Sequence, residues 1–156
     1  MAGLDDQYTW VGNWFHDLSG RAPHIGTTVT ASKQFHHFVN NYFQNINGHA
    51  FDIDKNTWVL LEGNQFTSVT TPFTSGSLTA GGEIYSTVTV DEAGRCSSYI
   101  GYICEWNKAA SSGTYNDIAN NNVLTKAATY KQYLVGHYSV NNVASTVPNN
   151  AGIGKV

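Results

Sequence analysis

Charge is what this 156-residue chain has least of: Asp, Glu, Lys and Arg together make 12% of it. So little charge argues against a long solvent-bathed helix, and a hydrophobic content of 41% argues against disorder. There is no basic footprint either, since the net charge is −3 and the pI near 6.0, so nucleic acid is not an expected partner. No apolar run is long enough to span a bilayer, and no membrane partner is expected. The opening Met1-Ala2-Gly3-Leu4-Asp5-Asp6 lacks the charged-then-apolar pattern of a secretion signal. Any such signal is expected to lie upstream or to have been removed.

Cysteine is scarce too. Cys96 and Cys104, in CSSYIGYIC, are the two present. Their spacing is too wide for a redox pair, and no second Cys or His pair follows at zinc-finger spacing. They read as a local disulfide closing a surface loop of a secreted protein, or as two reduced thiols of a cytosolic one; the first is expected.

What is abundant is Asn, Thr, Ser, Gly and aromatic residues, the last at 13%. Hydroxyls, amides and glycines suit the turns and ladders of an all-β extracellular protein, and the length suits one domain with a real core. The chain also repeats itself. WVGNWFHDLSGRA (10–22), FVNNYFQNINGHA (38–50) and LLEGNQFTSVTTP (60–72) align Asn13 with Asn41 and Asn64, Phe15 with Phe43 and Phe66, and Leu18 with Ile46 and Val69. Each unit holds short strand-like runs broken at Gly-Asn or Asn-Asn, and none can bury its own apolar face without stacking on a neighbour. The expected fold is therefore a right-handed parallel β-helix, a single-stranded solenoid with one coil per repeat. The asparagines would serve its tight bends, tolerating the left-handed conformation and bonding the Asn one coil away.

Coils are expected over about 4–92, a disulfide loop over 93–106, and an irregular C-terminal region over 107–156. Within that region Val140, Val143, Ala144 and Val147 form one apolar stripe, which predicts a short helix before Pro148 packed on the solenoid's flank or end. His36-His37 occupies adjacent strand positions that point to opposite faces, so one is expected in the wall and one in solvent rather than on a metal. Trp10, Trp14, Trp58 and Trp106 suit either the core or sugar stacking, with Trp10 or Trp14 the candidates to face saccharide.

In the second repeat the position of Arg21 is held by His49, so the solenoid pattern itself does not require an arginine there. Here the chain resembles the fungal pectin lyases within the broader pectate lyase group. The resemblance is carried by GNWFHDLSGRAPHI, NNYFQNINGHAFDI, VLLEGNQF, CSSYIGYIC and the closing NAGIGK. It runs over nearly the whole chain, clear to about residue 112 and looser beyond. It implies a parallel β-helix, secreted and extracellular, that cleaves methyl-esterified polygalacturonate (pectin) by β-elimination. It maps the arginine of the family's Gly-Arg-x-Pro turn onto Arg21 as catalytic base, with Pro23 fixing the turn. Gly26 stands where pectate lyases carry a second arginine, as in the branch that works without calcium, so neither cofactor nor metal is expected. His24 stands where pectin lyases usually carry lysine.

β-Elimination requires a group that removes the C5 proton and one that stabilises the enolate-like charge. A guanidinium ordinarily keeps its proton, so Arg21 is expected at C5 either as base or as electrostatic clamp. Pro23, His24 and Trp14 are the candidate substrate contacts. Asp17 precedes the turn, but its equivalent in the repeat is Asn45, and it reads as turn or ladder chemistry. Family members are longer, and this chain resembles their C-terminal half. A truncated, non-catalytic β-helix module that binds pectin or another chain is therefore the alternative. Association through an open N-terminal coil is expected, either end to end with a second copy, most simply as a two-fold dimer, or with a separate upstream half.

Overall fold

The structure is a computed structural model that describes residues 5–26, 33–79 and 82–155. Leu4, the expected start of the first coil, lies outside them. Alternating runs become short strands: β1 (Gln7–Val11), β2 (Trp14–Leu18), β3 (His24–Ile25), β4 (Gln34–Val39), β5 (Tyr42–Ile53), β6 (Thr57–Glu62), β7 (Gln65–Phe73), β8 (Glu83–Ser86), β9 (Lys108–Ala110) and β10 (Ile118–Ala119). One ladder runs β1-β4-β6-β8-β10, parallel except for antiparallel β10, which makes that sheet mixed. The other runs β2-β5-β7-β9, all parallel, with β3 added on the far half of β5. Strands alike in sequence therefore sit one above another, as the repeat requires. Phe15 pairs with Phe43 and Phe43 with Phe66, their rings stacked at 4.8 and 4.7 Å. That is the spacing of neighbouring strands, so each phenylalanine buries its face on the next coil.

The corner between the two ladders is an asparagine ladder. Asn13 donates from Nδ2 to Asn41 Oδ1 at 3.0 Å, Asn41 to Asn64 at 2.9 Å, and Asn64 to Asn107 at 3.0 Å. The same acceptor oxygens take the backbone N–H of Asn13, Asn41 and Asn64. The left-handed residues are not the ladder asparagines. They are the residues just before them, Gly12 (φ 61°), Asn40 (φ 50°) and Gly63 (φ 64°). Bend and ladder are thus divided between two neighbours. A second left-handed column, Asp17, Asn45 and Ser68, bends the second ladder, and Asn45 donates to Asp17 Oδ1 at 3.0 Å. Asp17 is ladder chemistry.

Three expectations are corrected. The cysteine segment is no open surface loop: it folds as α2 (Val90–Gly94) and α3 (Cys96–Ile100), and the Cys96–Cys104 disulfide lies buried beside Phe35, Leu60 and Tyr85. Ala93, Cys96 and Ile100 recur at helical spacing, which is why these helices can bury one face. The region 107–156 is far from irregular, since it holds β9, β10 and α4 (Asn121–Thr129) before the anticipated helix. Asn120 caps α4 by accepting from Asn122 N–H, and Val123, Leu124 and Ala127 bury its inner face. The final helix, α5 (Val143–Asn150), follows a 3₁₀ turn at Val140–Asn142 and runs through Pro148 rather than stopping before it. Its Val143 and Val147, with Val140, pack on Tyr42, Trp14 and Trp106 at the flank.

The histidine pair is also corrected. His36 and His37 do point to opposite faces of β4, but both are buried. The outer face is covered by the disulfide segment and the residues after α4, so neither face meets solvent. Outward, His37 Nε2 lies 2.5 Å from Glu62 Oε1, which also accepts from the Tyr102 hydroxyl at 2.8 Å. Inward, His36 stacks on Tyr8 at 4.7 Å.

Candidate active site

The second ladder turns outward after β2, and there the chain departs from plain solenoid architecture. After β2 the backbone runs Ser19-Gly20-Arg21-Ala22-Pro23 into β3. Arg21 is left-handed (φ 48°), a costly conformation for a residue with a Cβ, and the Ala22-Pro23 peptide is cis. The turn is pinned from below. Ala22 N–H donates to Ala50 O at 3.1 Å, and Asp52 N–H to Pro23 O at 3.1 Å. Gly48 lies so close beneath that a Cβ there would come within 2.1 Å of Ser19 O. Only glycine permits that approach.

This framework buries Ala22 and turns Arg21 out, its side chain 64% exposed. Arg21 Nε stands 3.6 Å from Asp52 Oδ2, and His49 Nε2, one coil down, lies 4.0 Å from the same oxygen. The other Asp52 oxygen accepts from the Thr74 hydroxyl at 3.2 Å. His24 Nε2 meets Asp54 Oδ2 at 3.2 Å, and Gly26 packs on Asp54 so tightly that a Cβ would clash with it at 2.3 Å. The result is an outward pair, Arg21 beside Asp52 and His24 beside Asp54, with His49 beneath them, its Nε2 buried and without a hydrogen bond. Asp52 lies in β5 and Asp54 just past its end, where its N–H still donates to Ile25 O at 2.9 Å. They are two residues apart, which puts both on one face. That period in FDID, together with His49 in the repeat position of Arg21, is the sequence signal for the three residues not anticipated.

Of the anticipated residues, Arg21, Pro23 and His24 come together. Trp14 does not join them. It begins β2, about 13 Å of strand before the turn. Its indole N–H donates to Gln44 Oε1 at 3.0 Å, and its ring stacks on His16 and packs with α5. Trp10 stacks on Phe38 at 5.3 Å and donates to His36 Nδ1 at 3.2 Å, so it serves the interior. Its edge, with Tyr8 and His24, still lines a hollow of about 260 Å³. Among the described residues no group of three or more His, Cys, Asp or Glu is disposed to hold a metal ion. No helix among them is long and apolar enough to cross a membrane.

The family profile described as "Pectate lyase" matches residues 5–156. The chain belongs to the pectate lyase family. It is 60% identical over its full length to a probable pectin lyase F of Neosartorya fischeri and 58% identical to a probable pectin lyase E of Aspergillus fumigatus. In both cases it spans 40% of that protein's length. Among solved structures it resembles a pectate lyase variant from Xanthomonas campestris with a TM-score of 0.51 at 17% identity, covering 96% of this chain and 41% of the other. The stacked ladders are thus the parallel β-helix of the family.

Proposed function

We propose that this chain is part of a secreted, extracellular pectin lyase, wound as a right-handed parallel β-helix, that cleaves methyl-esterified polygalacturonan by β-elimination at the Arg21 turn. The observation that carries the reading is an arginine forced into a left-handed turn and aimed outward, in a chain 60% identical to a named pectin lyase. Backbone strain of this kind, over-determined by Gly48 and the Ala50 and Asp52 hydrogen bonds, is kept where a side chain must stand at one spot.

In the reaction the C5 proton passes to a water molecule where Arg21 stays protonated, or to Arg21 itself where its guanidinium is neutral. The C5–H electron pair forms the C4–C5 double bond. The C4–O bond breaks, and the departing oxygen takes up a proton. Arg21 acts at C5. Its guanidinium faces the ester, where charge develops on the carbonyl oxygen as the proton leaves, and fixed donors at that point lower the barrier. Asp52 orients the guanidinium from behind. Between the two roles open to it, clamp is favoured over base by the Asp52 contact, since an arginine ordinarily stays protonated. Pro23 and His24 contact the neighbouring sugar. A neutral methyl ester offers no carboxylate for a metal to bridge, so activity is expected to be unaffected by chelator; inhibition by chelator would reassign the chain to calcium-dependent chemistry.

The test is the 156-residue chain on highly methylated pectin, followed by the ultraviolet absorbance of the unsaturated product. Arg21→Lys keeps the charge but loses the planar fork and its reach. Turnover is expected to fall at least about 100-fold, the scale of losing one oxyanion donor, with the circular dichroism unchanged. Parent-rate turnover in that variant would remove Arg21 from the mechanism. A second reading, a pectin-binding module without catalysis, draws on the 64% exposure of the Arg21 side chain. It predicts methylated-pectin binding with no product at any enzyme concentration.

A further inference from the structure

The position of Arg21 recurs down the second ladder, within β5 and then β7, and leads into a groove. His49 pairs with Thr71 and Phe51 with Phe73, so Arg21, His49 and Thr71 follow one another down the stack. The next level is Gly113, whose N–H donates to Val69 O at 2.9 Å. Gly113 presses against β7 as Gly48 presses against the Arg21 turn: a Cβ would meet Thr70 O at 2.1 Å. Below the site, α1 (Ser75–Thr79) swings out and forms a wall. It is tied back to Asp52 through Thr74, whose hydroxyl lies 2.7 Å from Ser77 Oγ.

Between α1 and the 113–118 segment lies an open groove of about 830 Å³, within the usual size of ligand sites. Pro72, Phe73 and Leu78 give it an apolar floor, and Thr70, Thr71 and Thr114 line it with hydroxyl-bearing side chains. An apolar surface rimmed by hydroxyls matches a sugar ring, which has an apolar C–H face and hydroxyls at its edge. The groove's charge is one-sided. Among the described residues its lining holds no Lys, Arg or His, and the charged residue there is Asp117, which accepts from Val88 N–H, Thr89 N–H and the Thr89 hydroxyl at 2.7, 3.2 and 3.0 Å. A free galacturonate carboxylate would meet that negative charge with no cation to offset it. A methyl ester would lay its methyl on Leu78 or Phe73.

We propose that this groove is a distal subsite for the polysaccharide engaged at Arg21, and that it selects a methyl-esterified galacturonate unit against the free acid. The proposal rests on the lyase reading for its substrate class. Two to three strand spacings, about 10 to 15 Å, separate the groove from the Arg21 turn, a span of a few linked sugars. Cationic at Arg21 and uncharged at Thr71, the ridge reads charge at one end and esterification at the other.

The test separates binding from turnover. In the Arg21→Lys chain, calorimetry is run with fully methyl-esterified and with fully de-esterified hexagalacturonate. The esterified oligomer is expected to bind about tenfold tighter or better, as expected when a charged group is left unpaired, and to shift the amide resonances of Thr71, Leu78 and Thr114. Leu78 is 53% exposed, so Leu78→Lys changes the floor without opening the core. That variant should bind the de-esterified oligomer about threefold tighter, the worth of one exposed ion pair. Leu78→Gln, polar and one atom shorter than lysine but uncharged, should not. Equal affinity for both oligomers, or shifts confined to the Arg21 turn, would overturn the proposal. Failure of the lyase reading would appear elsewhere, as absent product from the parent chain while oligomer selectivity at the groove persists.

Discussion

Residues with the same sequence neighbourhood can carry opposite chemistry, and His36 and His37 are the instance here. His37 is held against Glu62 in a dry site where Tyr102 also donates, and burial beside that carboxylate pushes the Tyr102 phenol up. His36 faces the other way, accepting at Nδ1 from Trp10 and reaching Gln34 Oε1 through Nε2 at 3.2 Å. Those two bonds suit the neutral ring, and burial pushes His36 down from 6.5 to about 4, with Asp6 pulling weakly upward. Between these values the unfolded chain takes a proton that the folded chain refuses. Stability therefore rises with pH across that window, is complete above it, and drops as the pH falls through it. The expected loss by pH 4 is on the order of 3 kcal/mol. Urea unfolding at pH 4.5, 5.5 and 7 measures it, and His36→Gln should flatten the slope. A variant that keeps the full slope would assign the acid sensitivity to other groups. Period-two alternation made the opposed faces legible. The burial of both was not, because the cover over the outer face comes from residues more than 50 positions away.

At the scale of elements, the coils were legible and their decoration was not. Asn13, Asn41 and Asn64 showed themselves by their register in the repeat, but Asn107, the fourth rung, was hidden behind the insertion that carries α1, α2 and α3. An insertion shifts the period without breaking the stack, so a search at fixed spacing passes over it. The helix α4 escaped for another reason: Asn, Thr and Ala give it a weak apolar stripe, and its three buried residues matter only once β6 and β8 are beside it. The Arg21 turn was legible through SGRAP, whereas its partners Asp52 and Asp54 come from the next coil and needed the ladder register. The ladder makes a sharp prediction. Asn64 is buried and central, accepting from the Asn41 N–H and amide and donating to Phe38 O, Glu62 O and Asn107. Asn64→Ala leaves several of those groups unpaired, at about 1–3 kcal/mol each. Unfolding in urea should show a loss of at least about 3 kcal/mol, and Asn13→Ala at the half-exposed end of the ladder markedly less. Equal losses at the two positions would mean that the rungs act independently of burial.

The whole molecule is a stack, and a stack has two ends that differ. At the C-terminal end antiparallel β10 terminates the first ladder, with α4 packed alongside β8. At the other end β1 pairs with β4, and among the described residues no strand pairs its second edge. Val11 and Leu18 are exposed there, and Trp10 and Phe15 form a half-buried aromatic layer over Phe38 and Phe43. An unpaired edge beside an aromatic layer is a template for another chain. The 156-residue chain taken by itself is therefore expected to associate through β1, most simply as a two-fold dimer in which the two β1 edges meet. Light scattering at low micromolar concentration should give twice the monomer mass. Val11→Lys, which sets a charge on that edge, should return it to the monomer. A longer chain whose added coils continue the ladder past β1 should be monomeric without the substitution. A 156-residue chain that stays monomeric would show the edge to be protected, and an associated form indifferent to Val11→Lys would move the contact to another face.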